Sequence, residues 1–159
     1  MLCFLIPVLL LVSAVTALQA PQPITYRVCS DATATGKITS VLIVPNPVQV
    51  GITTWVNATG TLAKPVGQGA TWKLSASFNR ITVYWKHGSL CEDATLNLPF
   101  GTGHIFIHGL TCPQKAGAIT IQEGAVFTKK PLSGTYGIHA EMYDENKNQI
   151  LCLDISVPM

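Results

Sequence analysis

An antiparallel all-β sandwich of seven or eight strands is what this sequence predicts, on three observations. Apolar and polar residues alternate with a period of two through most of the chain, the signature of strands with one buried face. Clusters of Pro, Gly, Asn and Asp separate those runs, at the spacing that hairpin connections require. No segment sustains the helical period, so no helix is expected to cover a sheet face.

The elements follow in order. Lys37–Val44 is a weak first run, stopped by Pro45-Asn46-Pro47. Val50, Ile52, Thr54 and Val56 then alternate against Gly51, Thr53, Trp55 and Asn57. That phase puts the Asn57-Ala58-Thr59 sequon on the face away from the valines, so Asn57 is a candidate glycosylation site. After Lys64-Pro65-Val66-Gly67, the clearest half-buried strand sets Trp72, Leu74, Ala76 and Phe78 against Thr71, Lys73, Ser75 and Ser77. Ile81, Val83 and Trp85 continue the pattern beyond Asn79-Arg80. Cys91 to Cys112 reads as a long loop around one short strand at His104–His108, and Ala118–Gln122 is a further weak run. Beyond Lys130-Pro131-Leu132-Ser133-Gly134, Tyr136, Ile138, Ala140 and Met142 form a late strand. The polar stretch Asp144–Asn148 turns it into the last, with Leu151, Leu153, Ile155 and Val157 on one face.

Leu2 to Leu18 carries no charged side chain. Its apolar heart, Leu2–Val12, is short for a membrane span of ~20 residues. Val15-Thr16-Ala17 fits a small-x-small cleavage pattern, so residues 1–17 are expected to be a signal peptide and 18–159 one mature domain. Cys3 leaves with the leader. Four cysteines remain, which suits two disulfides in an oxidising compartment. Three pairings are possible. The expected one joins Cys29 to Cys152, tying the two ends of the domain, and Cys91 to Cys112, pinning the long loop at its base. Closing the longer loop is worth ~4–5 kcal/mol in the chain-entropy model and the shorter ~3 kcal/mol.

Several function classes recede on chemistry. A formal charge of +2, with no basic cluster beyond Lys129-Lys130, is too mild for a nucleic-acid partner. No Cys-x-x-Cys pair supports zinc. No Gly-x-Ser-x-Gly or His-Glu-x-x-His motif supports a hydrolase. His104 and His108 on one strand would stand ~13 Å apart, too far to share a metal. His87 and His139 are isolated in sequence. No catalytic residue, metal or cofactor is expected.

Across nearly all of the expected mature chain the order of motifs resembles the ML lipid-recognition family. This family includes the Niemann–Pick type C sterol carrier, phosphatidylglycerol/phosphatidylinositol transfer proteins and the ganglioside activator. The residues that carry the resemblance are Cys29, Ile38-Thr39-Ser40-Val41, Pro45-Asn46-Pro47, Gly51 and Leu90-Cys91-Glu92-Asp93. Further along they are Cys112-Pro113 with Gly117, then Pro131, Gly134 and Tyr136, then Asp144 through Cys152. An extra cysteine pair found in many sterol carriers is absent, and the Cys91-to-Cys112 interval is long for a phospholipid-transfer relative.

The resemblance implies an immunoglobulin-like sandwich whose sheets part around an apolar cavity. Candidate lining residues are Val56, Trp72, Leu74, Phe78, Val83, Ile107, Ile119, Phe127, Tyr136, Ile138, Met142, Leu153 and Ile155. Lys129 and Lys130 are candidates for contact with anionic head groups or membrane surfaces at the mouth. The implied function is a monomeric carrier of a sterol, phospholipid or glycolipid, in the secretory pathway, outside the cell, or in a lysosome or vacuole. It would touch membranes transiently and hand lipid to a receptor. The alternative is an Ig-like module, or an activator that presents lipid to a partner.

Overall fold

The computed structural model describes residues 22–159; the expected leader and its cleavage after Ala17 lie outside the described residues. Ten strands are present: β1 Thr25–Val28, β2 Gly36–Val44, β3 Thr54–Leu62, β4 Thr71–Phe78 and β5 Ile81–Ser89, then β6 Ala94–Asn97, β7 Gly103–Ile107, β8 Gly117–Phe127, β9 Thr135–Tyr143 and β10 Gln149–Pro158. They form two antiparallel five-stranded sheets, β1-β10-β9-β4-β5 and β2-β3-β8-β7-β6. The expected class holds and the expected number of strands was too low. β1 and β6 have four residues each, too few for alternation to show.

Three local departures from the expected pattern have physical causes. Val50 and Ile52 lie ahead of β3, because Gly51 takes φ +81° and its N–H donates to the Phe127 carbonyl. That backbone conformation suits glycine and breaks the run. In β5, Tyr84 pairs with Ala76 while Thr82 pairs with Ser77, so Val83 is an unpaired bulge residue. The bulge inverts the phase: Tyr84 packs inward against the core and Trp85 stands outside opposite Ser75. The stretch between Cys91 and Cys112 is a β6–β7 hairpin with a 3-10 turn at Pro99–Gly101, where one strand was expected.

Because every connection is antiparallel, the loops gather at two ends. One end holds the β1–β2, β3–β4, β5–β6, β7–β8 and β9–β10 connections. Both disulfides lie there, Cys29–Cys152 and Cys91–Cys112. Asp144 fixes the β9–β10 turn by accepting from the Asn146 and Asn148 N–H groups at 2.9 and 2.8 Å. At the other end sit the loops β2–β3, β4–β5, β6–β7 and β8–β9, with no disulfide among the described residues.

The core divides in the same sense. The larger cluster, around Leu62, Val66, Trp72, Leu90, Ile107 and Leu151, fills the cross-linked end and the middle. A smaller one, built on Ile24, Ile155 and Val157, takes in Val56, Tyr136 and Leu153 towards the other end.

Candidate functional site

The inner faces of the two sheets follow from register. On one sheet Val56 lies opposite Glu123, Ala58 opposite Ile121 and Ile107 on the other side of Glu123. On the other sheet Leu151 faces Met142, Leu153 faces Ala140 and Ile155 faces Ile138. Successive strand side chains point to opposite faces, so these residues meet across the interior. Between them lies a cavity of about 30 Å³, lined by Ile38, Val56, Ala58, Ile121, Glu123, Ala140, Met142, Leu151 and Leu153. That volume suits a single water and not an acyl chain. A larger guest enters only if the sheets separate.

Glu123 is the one ionisable group in that lining. It is half-buried, and among the described residues no hydrogen bond or opposing charge supports its carboxyl. Burial alone raises its pKa from 4.5 to about 7, because an apolar surrounding disfavours the charged form. Three further polar atoms are buried without a partner among the described residues: Thr54 Oγ1, Trp72 Nε1 and Tyr84 OH. Thr54 stands two positions before Val56 on the same face of β3.

The end without disulfides is closed by aromatic side chains. Phe78 and Tyr136 come from one sheet and Phe127 from the other. Tyr136 lies 5.0 Å from Phe78 and 5.9 Å from Phe127, ring centre to ring centre. The Tyr136 hydroxyl donates to the Leu132 carbonyl at 3.2 Å, which couples this closure to the β8–β9 loop. Outside it, apolar side chains stand in water: Phe100 is 96% exposed, Leu132 72% and Ile81 70%. Phe100 also holds φ 59°, an uncommon conformation for a bulky residue. Arg80, Lys129 and Lys130 are exposed on the same loops.

The expected lining residues distribute as follows. Val56, Met142 and Leu153 line the cavity. Trp72, Leu74, Ile107 and Ile119 are buried in the larger core, and Ile155 in the smaller. Ile138 touches both. Phe78, Phe127 and Tyr136 form the aromatic closure. Val83 stands apart, 52% exposed at the β5 bulge, because the extra residue pushes it out of the pleat. Ile38, Ala58, Ile121, Ala140 and Leu151 were missed as lining residues, as was Glu123. A glutamate in a strand reads as solvent-facing, yet Ile119, Ile121 and Ala125 share its phase, and that was the available signal.

The remaining polar groups sit outside. Asn57 is on the outer face, accepting from Gln122 Nε2 at 2.8 Å. His104 pairs with Asn97, and His108 stacks on Trp55 at 5.7 Å. His139 lies beside the Cys29–Cys152 bridge, its Nδ1 2.7 Å from Asp154 Oδ1. Partial burial would raise the Asp154 carboxyl, but hydrogen bonds from His139 and Arg27 outweigh it and hold the group below its ordinary value. The two sulfurs beside His139 are joined to each other, so this cluster offers no thiolate to a metal.

Residues 23–159 match the family model described as the ML domain. Among curated proteins, the chain is 31% identical over 134 residues to a phosphatidylglycerol/phosphatidylinositol transfer protein of Aspergillus fumigatus, covering 84% of this chain and 69% of that one. It is 28% identical over 151 residues to the protein of that name from Neurospora crassa, covering 92% and 78%. Its fold is similar to a Niemann-Pick type C2 protein from Japanese carpenter ant, with a TM-score of 0.58, 14% identity and 84% and 98% of the two chains covered. Chicken MD-1, solved in complex with lipid IVa, superposes with a TM-score of 0.56 at 21% identity, covering 85% and 88%.

Proposed function

This chain belongs to the ML-domain family, and we propose that it binds one lipid between its sheets and transfers it between membranes, with no covalent step. The observation that carries the reading is the asymmetry of the sandwich. Two disulfides staple one end, while only non-covalent contacts close the other: the aromatic rings, a small aliphatic cluster around Ile24, and two hydrogen bonds between the Ile24 backbone and the Asn46 side chain. The sheets therefore part most easily at the aromatic end, and the chain of a lipid takes the place of side chains that now fill the gap.

The energetics suit a carrier. Each methylene removed from water is worth ~0.8 kcal/mol, so a long acyl chain gains on the order of 10 kcal/mol in an apolar site. A bilayer offers about the same, so the protein need only match it. We read the aromatic end as the membrane-facing one. Phe100, Leu132 and Ile81 would enter the head-group region, with Lys129 and Lys130 drawn to anionic lipid. The disulfides and the outer-face sequon at Asn57 support residence in the secretory pathway, a lysosome or vacuole, or outside the cell.

Transfer of fluorescent phosphatidylglycerol or phosphatidylinositol between vesicles tests this reading. The protein should accelerate transfer severalfold and yield about one lipid per chain in an organic extract. No acceleration and no lipid in the extract would remove it.

A second reading, a presenter that hands lipid to a protein partner, is favoured by β5. It is an edge strand with Trp85 67% exposed, the kind of surface on which another chain adds a strand.

A further inference from the structure

We propose that Glu123 is the specificity-determining residue of the inter-sheet site, and that it selects a lipid whose buried chain carries a hydroxyl group. The inference rests on the lipid-binding reading above and goes further by naming the chemistry of the guest.

The argument begins with placement. Glu123 lies near the middle of β8, with Val56 and Ile107 as its register partners on either side. It faces Met142 and Leu153 of the opposite sheet across the cavity, with Ile38 at the side. None of these titrates or donates a hydrogen bond, so the described residues give the carboxyl no partner. A half-buried carboxyl on an otherwise apolar wall calls for an explanation, and its position on the cavity wall supplies it: the partner arrives with the guest.

The protonation behaviour narrows what that partner is. The carboxyl titrates near neutrality, at about 7, so it is encountered both neutral and ionised. An ammonium group would suit only the ionised form and a carbonyl only the neutral one. A hydroxyl donates to the carboxylate and accepts from the acid, so it pairs with both. It is also less costly to bury than a charge. Depth agrees with a mid-chain position. Glu123 is four residues along β8 from Phe127 at the aromatic closure, about 13 Å inward at strand spacing. A lipid with its head group at the rim would bring the middle of its chain to that depth.

Two phosphatidylcholines that differ by a mid-chain hydroxyl on each acyl chain, a dioleoyl and a diricinoleoyl form, make the test. Both are zwitterionic across the working range, so pH acts on the protein. Binding is measured at pH 5 and pH 8 for the wild type, Glu123→Gln and Glu123→Leu. The wild type should prefer the hydroxylated lipid about threefold at pH 5 and about tenfold at pH 8, because a hydrogen bond to a charged acceptor is the stronger one. Glu123→Gln should keep a modest preference that does not change with pH. Glu123→Leu should lose the preference or reverse it. If the wild type binds the dioleoyl form equally well, or Glu123→Leu retains the preference, the inference is overturned while lipid binding stands. If the wild type binds neither lipid, the inference falls, and the phosphatidylglycerol transfer assay decides the lipid-binding reading separately. The wild-type pH comparison decides the matter even where a variant fails to fold.

Discussion

The same carboxyl makes stability depend on pH in a way that can be isolated. In the folded protein the Glu123 pKa is raised from 4.5 to about 7, and burial is the cause. Below pH 4.5 the group is protonated in both states and contributes nothing unfavourable. As pH rises from there, the unfolded chain ionises first while the folded chain stays protonated. Stability is therefore lost progressively up to the folded pKa and then levels off. A shift of this size corresponds to about 3 kcal/mol at 1.36 kcal/mol per unit. Glu123→Gln removes the titration and retains the side chain's shape. The assay is urea unfolding of both proteins at pH 4.5 and pH 8, with the disulfides intact. With a slope of about 2 kcal/mol per molar, the wild-type midpoint should fall relative to the variant's by about 1.5 M between the two conditions. Histidines and the remaining carboxylates act equally on both proteins and cancel in the comparison. If the two midpoints move in parallel, the carboxyl is solvated, and the argument for an apolar site around it fails.

Three further outcomes follow from separate parts of the molecule. Asp144→Ala leaves the Asn146 and Asn148 N–H groups without their acceptor and should lower stability by about 2–3 kcal/mol by urea unfolding; Asp144→Asn should lower it less. Gly88→Ala would place a methyl 2.6 Å from Trp72 Cζ2, on a ring buried in the larger core. A loss of about 1–3 kcal/mol is expected, and an unchanged midpoint would mean that the Trp72 ring can move. Charge reversal at Lys129 and Lys130 together should weaken binding to anionic vesicles at low salt by about tenfold or more, and the difference should vanish at high salt. Binding that ignores the reversal would mean that these lysines do not meet the membrane.

Much of the architecture was legible in the chain. Alternation identified β4, β9 and β10 with the correct inner faces, because each has one face against the core and one towards solvent. The cysteines at Cys29 and Cys152 could be read as closing the domain, because one precedes the first alternating run and the other stands in the last. What stayed hidden has specific causes. The bulge at Val83 changes which residues of β5 point inward, and a bulge is decided by the partner strand's hydrogen bonds, not by β5 alone. The hairpin between Cys91 and Cys112 uses strands of four and five residues, too short to carry a period.

Sequence by itself determined the class of fold and the apolar stripes, since each depends on residues close together or on composition. Tertiary structure alone decided which end of the sandwich is stapled and which is held by aromatic rings, because the two sheets alternate along the chain. It also put Glu123 on the cavity wall, where the phase of Ile119, Ile121 and Ala125 was the one hint in the chain. In a strand of this register a side chain's face is set by its neighbours, and Val56 and Ile107 flank the half-buried carboxyl on either side.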